Sequence, residues 1–538
     1  MKTRITLALA VVTFLLAAAP ASAVPASDKV NPGVAIALEA AGPGEAVPVL
    51  VFAPGRLGAV RAKLPADAEA QGLPLVDAVA TWLTADQIED LASLPYVSSI
   101  IADMPVYGIG VAGAAMDVTN LTIGLGELTT PRDGGPSGAG VTVAILDSGV
   151  GVNTDLAESR IVGWMDLVKG KKRPYDDAGH GTFVAGLIAG DGSASLPVAD
   201  GGWATTQFRG VAPAADVVAV KVLDRFGQGR ASTVIAGIAW AIAHKEEFGI
   251  RVLNISIGGN PSGPAAEDPL AQAVEEAWEA GIVVVCAAGN EGEFGLGGVL
   301  SPGNDPAVIT VGATDTRQTP DLADDVVCAY SSMGPTLYDE VAKPDLVAPG
   351  NRLISLRERA SYIDRTFPEN LIPVQDYAPD APASVRSDYV KLSGTSTAAP
   401  VVAGAAALLL EKDPSLTPDD VKLRLMRSAD PLPGASSYAQ GAGLLDVDGA
   451  LAEIVHAGSP ALSADLGDGT TILSADTYVE WDKFAWTKFA WTKFAWTKFA
   501  WTKFAWTKFA WTKFAWTKFA WTKFAWTKFA WTVLIEGQ

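Results

Sequence analysis

Between residues 141 and 288 the chain repeats one pattern: a short, mostly apolar run, a small or polar turn, then a longer stretch with helical spacing. The runs are 141–146, 217–223, 252–257 and 282–288, and the helical stretches are 232–248 and 269–281. Strands with little polar alternation are strands covered on both faces. Strand, helix and strand in succession demand crossover connections, which close right-handed over a parallel sheet. The expected fold is α/β, a three-layer, mostly parallel sheet with helices on both faces. Sites in such folds gather outside the carboxyl ends of the strands.

Polar residues stand at two of those ends. The run 141–146 leads into Asp147-Ser148-Gly149, and the run 282–288 leads into Gly289-Asn290. His180 lies between glycines in Gly179-His180-Gly181, before a small-residue helix, and is one of only three histidines. A base titrating near neutral pH therefore has few candidates. His244 precedes Lys245-Glu246-Glu247 and reads as a surface histidine, while His456 lies beyond the last core motif. Three histidines and two cysteines leave a zinc centre short of ligands. Farther on, Gly394-Thr395-Ser396-Thr397 and Pro400 lead into an apolar run to Leu410, which reads as the start of a buried helix with Pro400 in its first turn. Ser396 either caps that helix or is a nucleophile whose developing charge meets the helix dipole and unpaired N–H groups. Taken singly, Asp147 and Asn290 also fit turn-forming roles.

Both ends of the chain carry additions. Residues 1–23 hold Lys2 and Arg4, an apolar stretch, then Ala21-Ser22-Ala23, the pattern of a secretory signal cut after Ala23. Export would permit a disulfide between Cys286 and Cys328, although their apolar strand settings suit two buried free thiols equally. The segment 24–110 reads as a small acidic α/β unit, with strands at 47–52, 76–83 and 97–102 and a capping box at Thr84-Ala85-Asp86-Gln87. It is either a pro-region or an independent domain. A linker at 457–482 precedes ten copies of Lys-Phe-Ala-Trp-Thr at 483–532 and a tail at 533–538. Net charge is −20, and setting aside the ten repeat lysines leaves the remainder at −30, which argues against nucleic acid as a substrate. Five-residue steps form no aromatic stripe on a helix, so a β-solenoid or ribbon of short strands is expected for the repeats, with tandem duplication lacking a role as the alternative.

The order Asp147, His180, Asn290, Ser396, in the settings ILDSG, GHGTFVAG, AAGN and GTSTAAPVVAG, resembles the subtilisin-like serine peptidases. Supporting stretches are Gly210-Val211-Ala212-Pro213, Asn254-Ile255-Ser256-Ile257-Gly258 and Lys343-Pro344-Asp345-Leu346-Val347-Ala348-Pro349-Gly350. The resemblance implies Ser396 as nucleophile, His180 as base and Asp147 as its orienting carboxylate. It further implies that the Asn290 side chain and the Ser396 N–H hold the oxyanion. A peptide substrate would lie as an added strand against Gly227, Gly229, Ser256 and Gly258, with Ala288 and Gly289 on one wall and apolar or broad specificity. Segment 24–110 would be an inhibitory propeptide processed within 105–114, and 111–456 the catalytic domain.

Two positions depart from the family pattern: Thr397 replaces the usual methionine after the serine, and Phe183 stands where a second histidine is frequent. Residues 352–388 form a surplus beside the cleft, either a surface insertion or a solvated loop. No cofactor is implied for the chemistry. Several members bind structural calcium, and the acidic loops at Asp176-Asp177, Asp200, Asp315 and Asp324-Asp325 offer oxygen donors or are solvated surface, so no ligands are assigned. The expected function is a secreted, monomeric serine endopeptidase made as an auto-processed precursor. The alternative is a catalytically inactive surface or adhesion protein whose cationic aromatic repeats bind cell-wall polymer or glycan.

Overall fold

A computed structural model of the chain describes residues 29–66, 68–108, 135–317, 319, 321–457 and 461. The expected signal, linker, repeats and tail lie outside the described residues, apart from residues 457 and 461 of the linker. The rest divides into two units between Asp103 and Met104. Among the described residues no helix is long and apolar enough to cross a membrane.

The first unit is a four-stranded antiparallel sheet of β1 (Val47–Phe52), β2 (Ala70–Leu73), β3 (Ala78–Leu83) and β4 (Ser99–Ala102), in the order β2-β3-β1-β4. The expected strand 76–83 is shortened because Pro74–Val76 forms a 3-10 turn that ends in left-handed Asp77 at φ 51°. The capping box forms as read. Gln87 N donates to the Thr84 hydroxyl and Thr84 N donates to Gln87 Oε1 at 2.9 Å, starting the helix Ala85–Ala92, which buries Ile88 and Leu91.

In the second unit β5 (Pro105–Gly108) precedes the main sheet, built from β6 (Thr142–Asp147), β7 (Ile161–Asp166), β8 (Asp216–Lys221), β10 (Ile250–Ile255), β12 (Val283–Ala287), β13 (Ile309–Asp315), β14 (Val326–Val327) and β15 (Leu346–Pro349). Its order is β14-β13-β12-β10-β6-β8-β7, with β15 beside β13, and every pairing except β13 with β14 is parallel. All six residues of β6 are buried, as the apolar run requires. The helix Thr395–Lys412 packs along β10, β12, β13 and β15, and the helix His180–Ala189 packs against it. The expected helix 232–248 is two: Ala231–Ala243 stops at His244, and Lys245–Phe248 follows.

The surplus 352–388 is structured, which removes the solvated-loop reading. It leaves and returns through the antiparallel pair β16 (Leu353–Leu356) and β17 (Tyr389–Leu392). Tyr377 and Tyr389 are buried edge-on against Phe208, and Leu353, Leu356, Ile372 and Val374 are buried as well, so aromatic and aliphatic area together anchor the segment. Cys286 and Cys328 are both buried and free. Burial pushes both thiols far above their ordinary range, as expected where a thiolate has no water to stabilise it.

Candidate active site

Asp147 ends the central strand β6, His180 opens the helix His180–Ala189, and Ser396 is the second residue of the helix Thr395–Lys412. The fold brings these distant residues together. His180 Nδ1 lies 2.8 and 2.9 Å from the two Asp147 carboxylate oxygens, and His180 Nε2 lies 3.1 Å from Ser396 Oγ. A carboxylate only accepts, so the imidazole proton sits on Nδ1 and the Ser396 hydroxyl donates to Nε2. All three side chains are buried. Burial pulls the His180 pKa down, but the charge and hydrogen bond of Asp147 outweigh it and leave it above its ordinary value.

The turn carrying the histidine is held by a residue whose sequence setting points only to a calcium donor or solvated surface. Asp176 is buried, and its carboxylate accepts from Gly179 N at 2.8 Å, Thr182 N at 2.8 Å and the Ser148 hydroxyl at 2.9 Å. That fixes the turn into His180 and ties it to the residue after Asp147. Gly181 is obligatory there, because a Cβ would lie 2.0 Å from Gly149 O. Asp177 is also engaged, by Lys169 at 2.7 Å and Lys221 at 2.8 Å. Among the described residues no group of three or more His, Cys, Asp or Glu is placed to hold a metal ion.

Asn290 follows β12 at the carboxyl edge. Its Oδ1 accepts from Thr395 N at 3.0 Å and from the Thr395 hydroxyl at 3.1 Å, which turns the amide NH2 the other way. The Thr395 hydroxyl in turn accepts from Gly289 N at 3.1 Å. Thr395 thus sets the amide orientation, a role whose only sequence signal is a threonine directly before the serine. Thr397 receives a physical account as well: its hydroxyl lies 2.9 Å from Gly350 O and 2.8 Å from Gly394 O, pinning the first helical turn to the loop after β15. Pro400 corrects the reading of the helix start. It lies inside the helix, beyond the first turn, where its missing N–H removes the i+4 donor to the Ser396 carbonyl. Phe183 is wholly buried, and its carbonyl accepts from Ser355 of β16 at 2.7 Å.

The residues read as substrate-binding edges are paired with β5. That strand lies antiparallel between β9 (Gln228–Arg230) and β11 (Ile257–Gly258), with Val106 opposite Gly229 and Tyr107 opposite Gly258. Gly108 N donates to Gly227 O at 2.9 Å, and a Cβ on Gly108 would lie 3.5 Å from His180 Nδ1. Ser256 is buried and accepts from Asn254 Nδ2 at 2.9 Å, so it faces the interior. Ala288 is buried, and Gly289 has φ 114°, which lets the chain turn into Asn290. His244 and His456 are away from this cluster. His244 bonds Trp240 O at 2.8 Å, and His456 Nδ1 lies 3.3 Å from Asp420.

Comparison with known proteins agrees with this geometry. The profile described as "Subtilase family" matches residues 138–443. Serine protease AprX of Bacillus subtilis (strain 168) is 42% identical over 317 residues, covering 58% of this chain and 66% of AprX. Subtilisin DY of Bacillus licheniformis is 36% identical over 318 residues, covering 59% of this chain and 92% of that protein. The chain thus spans just under two thirds of AprX and nearly all of subtilisin DY. A crystal structure of fervidolysin from Fervidobacterium pennivorans, a keratinolytic enzyme related to subtilisin, shares the fold with a TM-score of 0.56 at 23% identity, over 76% of this chain and 62% of that one. With a family match over more than half of its length, and with Asp147, His180, Asn290 and Ser396 all inside the matched span, the chain belongs to the subtilase family of serine peptidases.

Proposed function

We propose that the chain is a secreted endopeptidase that hydrolyses peptide bonds through an acyl-enzyme on Ser396. The observation that carries this reading is the unbroken line from the Asp147 carboxylate through His180 to a serine hydroxyl at a helix start. Ser396 Oγ attacks the carbonyl carbon while His180 Nε2 takes its proton, and the imidazolium formed faces the Asp147 carboxylate. His180 then gives that proton to the leaving amine, and water repeats the sequence to free the acid. The Ser396 N–H, in the first helical turn, has no acceptor within the helix. Together with the Asn290 amide it supplies two donors for the oxyanion. Asn290→Ala is expected to lower kcat on casein roughly 100- to 1,000-fold with little change in KM. A loss below about threefold would remove Asn290 from this role.

The position of β5 supports reading 24–110 as a propeptide whose tail occupies the substrate groove. Gly108, the last described residue of this stretch, lies beside His180, so cleavage is expected at the first bonds beyond it. N-terminal sequencing of active secreted material should find a start within residues 109–114. Active material beginning at Val24 would contradict it.

A structural calcium ion is a separate proposal. Asp176 and Asp177 do not fit it, since their oxygens are taken by N–H, hydroxyl and ammonium groups. Among the described residues no group of three carboxylates converges at the loop of Asp315, Asp324 and Asp325 either, so the placement rests on Asp325, 3% exposed with neither carboxylate oxygen hydrogen-bonded. Calcium is expected to raise the melting temperature of the parent chain and not of Asp325→Asn. An equal shift in both, or none in either, overturns that placement.

A further inference from the structure

Two features have no part in the chemistry above: an exposed apolar surface next to the site, and the ten repeats. Just beyond Asn290, the loop of residues 291–298 presents Phe294, 81% exposed, and Leu296. The loop of residues 333–340 presents Leu337, 59% exposed, and Tyr338. The two loops are joined. Gly297 N and Gly298 N both donate to Met333 O, at 3.0 and 3.1 Å, and a Cβ on Gly297 would lie 3.6 Å from Leu337. Acidic residues are interleaved with these side chains: Glu291 and Glu293 on one loop, Asp339 and Glu340 on the other. An open patch mixing large apolar groups with one sign of charge suits a ligand carrying aromatic rings and the opposite charge.

We propose that this surface docks the chain's own Lys-Phe-Ala-Trp-Thr repeats, one copy at a time. Each copy brings two aromatic rings and one lysine, and no carboxylate occurs anywhere in 483–532. Rings can lie on Phe294, Leu296, Leu337 and Tyr338 while the ammonium group meets the neighbouring carboxylates. Reach is sufficient, because residues 462–482 extend to about 70 Å. A domain the size of the catalytic unit has a radius of gyration of about 20 Å. Tethering also lets a weak contact suffice. A tether of this length gives an effective concentration of about 1 mM, so a contact with a dissociation constant of about 1 mM is half occupied by one copy, and ten interchangeable copies raise that to about nine tenths. Identity of the copies then has a physical consequence, because every copy fits the same surface.

The test is photocrosslinking of the full chain carrying Ser396→Ala, which prevents self-digestion. Tyr338 is replaced by p-benzoylphenylalanine in one variant, and Trp203, equally exposed at 51% but remote in sequence, in a control. Phe294 carries the probe in a third variant, so a folding failure at Tyr338 leaves the test intact. Crosslinked peptides from the Tyr338 or Phe294 probe are expected to contain the repeat sequence within a single chain, in roughly tenfold higher yield than from Trp203. Adding Glu293→Lys, or raising salt to about 0.5 M, is expected to lower that yield severalfold. Equal yields at all three positions, no repeat-containing product, or products only between two chains would overturn intrachain docking, the last pointing to a second copy as the occupant.

Discussion

Ser396→Ala is expected to reduce kcat on peptide substrates by about 10^6-fold, the loss associated with triad serines of this family. The substitution removes one oxygen from a fully buried position at a helix start. Removing it takes away the atom that forms the acyl bond, and His180 Nε2 loses the hydroxyl 3.1 Å away. The oxyanion donors at Asn290 and the helix start remain, so residual catalysis of about 10^3- to 10^4-fold over water should persist. Fold and melting temperature should change little, since alanine is a better helix former than serine. Loss of activity with an unchanged melting curve therefore separates a chemical role from the capping role that the sequence alone left open.

Asp147→Asn is expected to lower kcat by about 10^4-fold near neutral pH while keeping the shape of the site. An asparagine amide can offer its NH2 to Nδ1, which places the imidazole proton on Nε2, where it faces Ser396 and cannot accept the hydroxyl proton. The pH profile carries a second signature. In the parent chain the Asp147 charge outweighs burial and lifts the His180 pKa above its ordinary value. Activity needs the neutral imidazole, so it is present above that pKa and is lost as pH falls through it. The acid limb of kcat/KM should therefore lie above about 6.5 in the parent. In Asp147→Asn burial is opposed only by the smaller pull of Asp176, so the limb should move to lower pH. A limb that stays in place would show that Asp147 does not govern the base.

The parts legible in the sequence were those encoded by contiguous residues. The apolar run at 141–146 marks the central strand, and Thr84 with Gln87 marks a helix start, because each depends on neighbours along the chain. The catalytic candidates were legible because each sits in a short motif at an element end. What remained illegible depends on partners far apart in sequence. Asp176 reads as one acid in a charged loop, and only the fold brings Ser148 and Thr182 to its carboxylate. Thr395 acquires its role through Asn290, which arrives from the end of β12. The stretch 343–349, with Pro344 and Pro349, gives no strand signal, yet it buries Lys343 against Asp345 at 2.7 Å and its residues 346–349 form β15 beside β13. Residues 352–388 read as a surface insertion or a solvated loop from their charge and proline, whereas burial of Tyr377, Leu353, Leu356 and Ile372 makes them a defined extension of the catalytic unit.

The central claim is that Ser396 is the activated nucleophile, and active-site labelling with a fluorophosphonate followed by mass mapping tests it most directly. Phosphonylation requires a hydroxyl made nucleophilic by a neighbouring base, so surface serines serve as internal controls. The expected result is one label per active chain, located on Ser396, with hydrolysis lost in step with labelling and no label in His180→Ala. Full labelling of another serine, or hydrolysis that continues after Ser396 is fully labelled, would contradict the account.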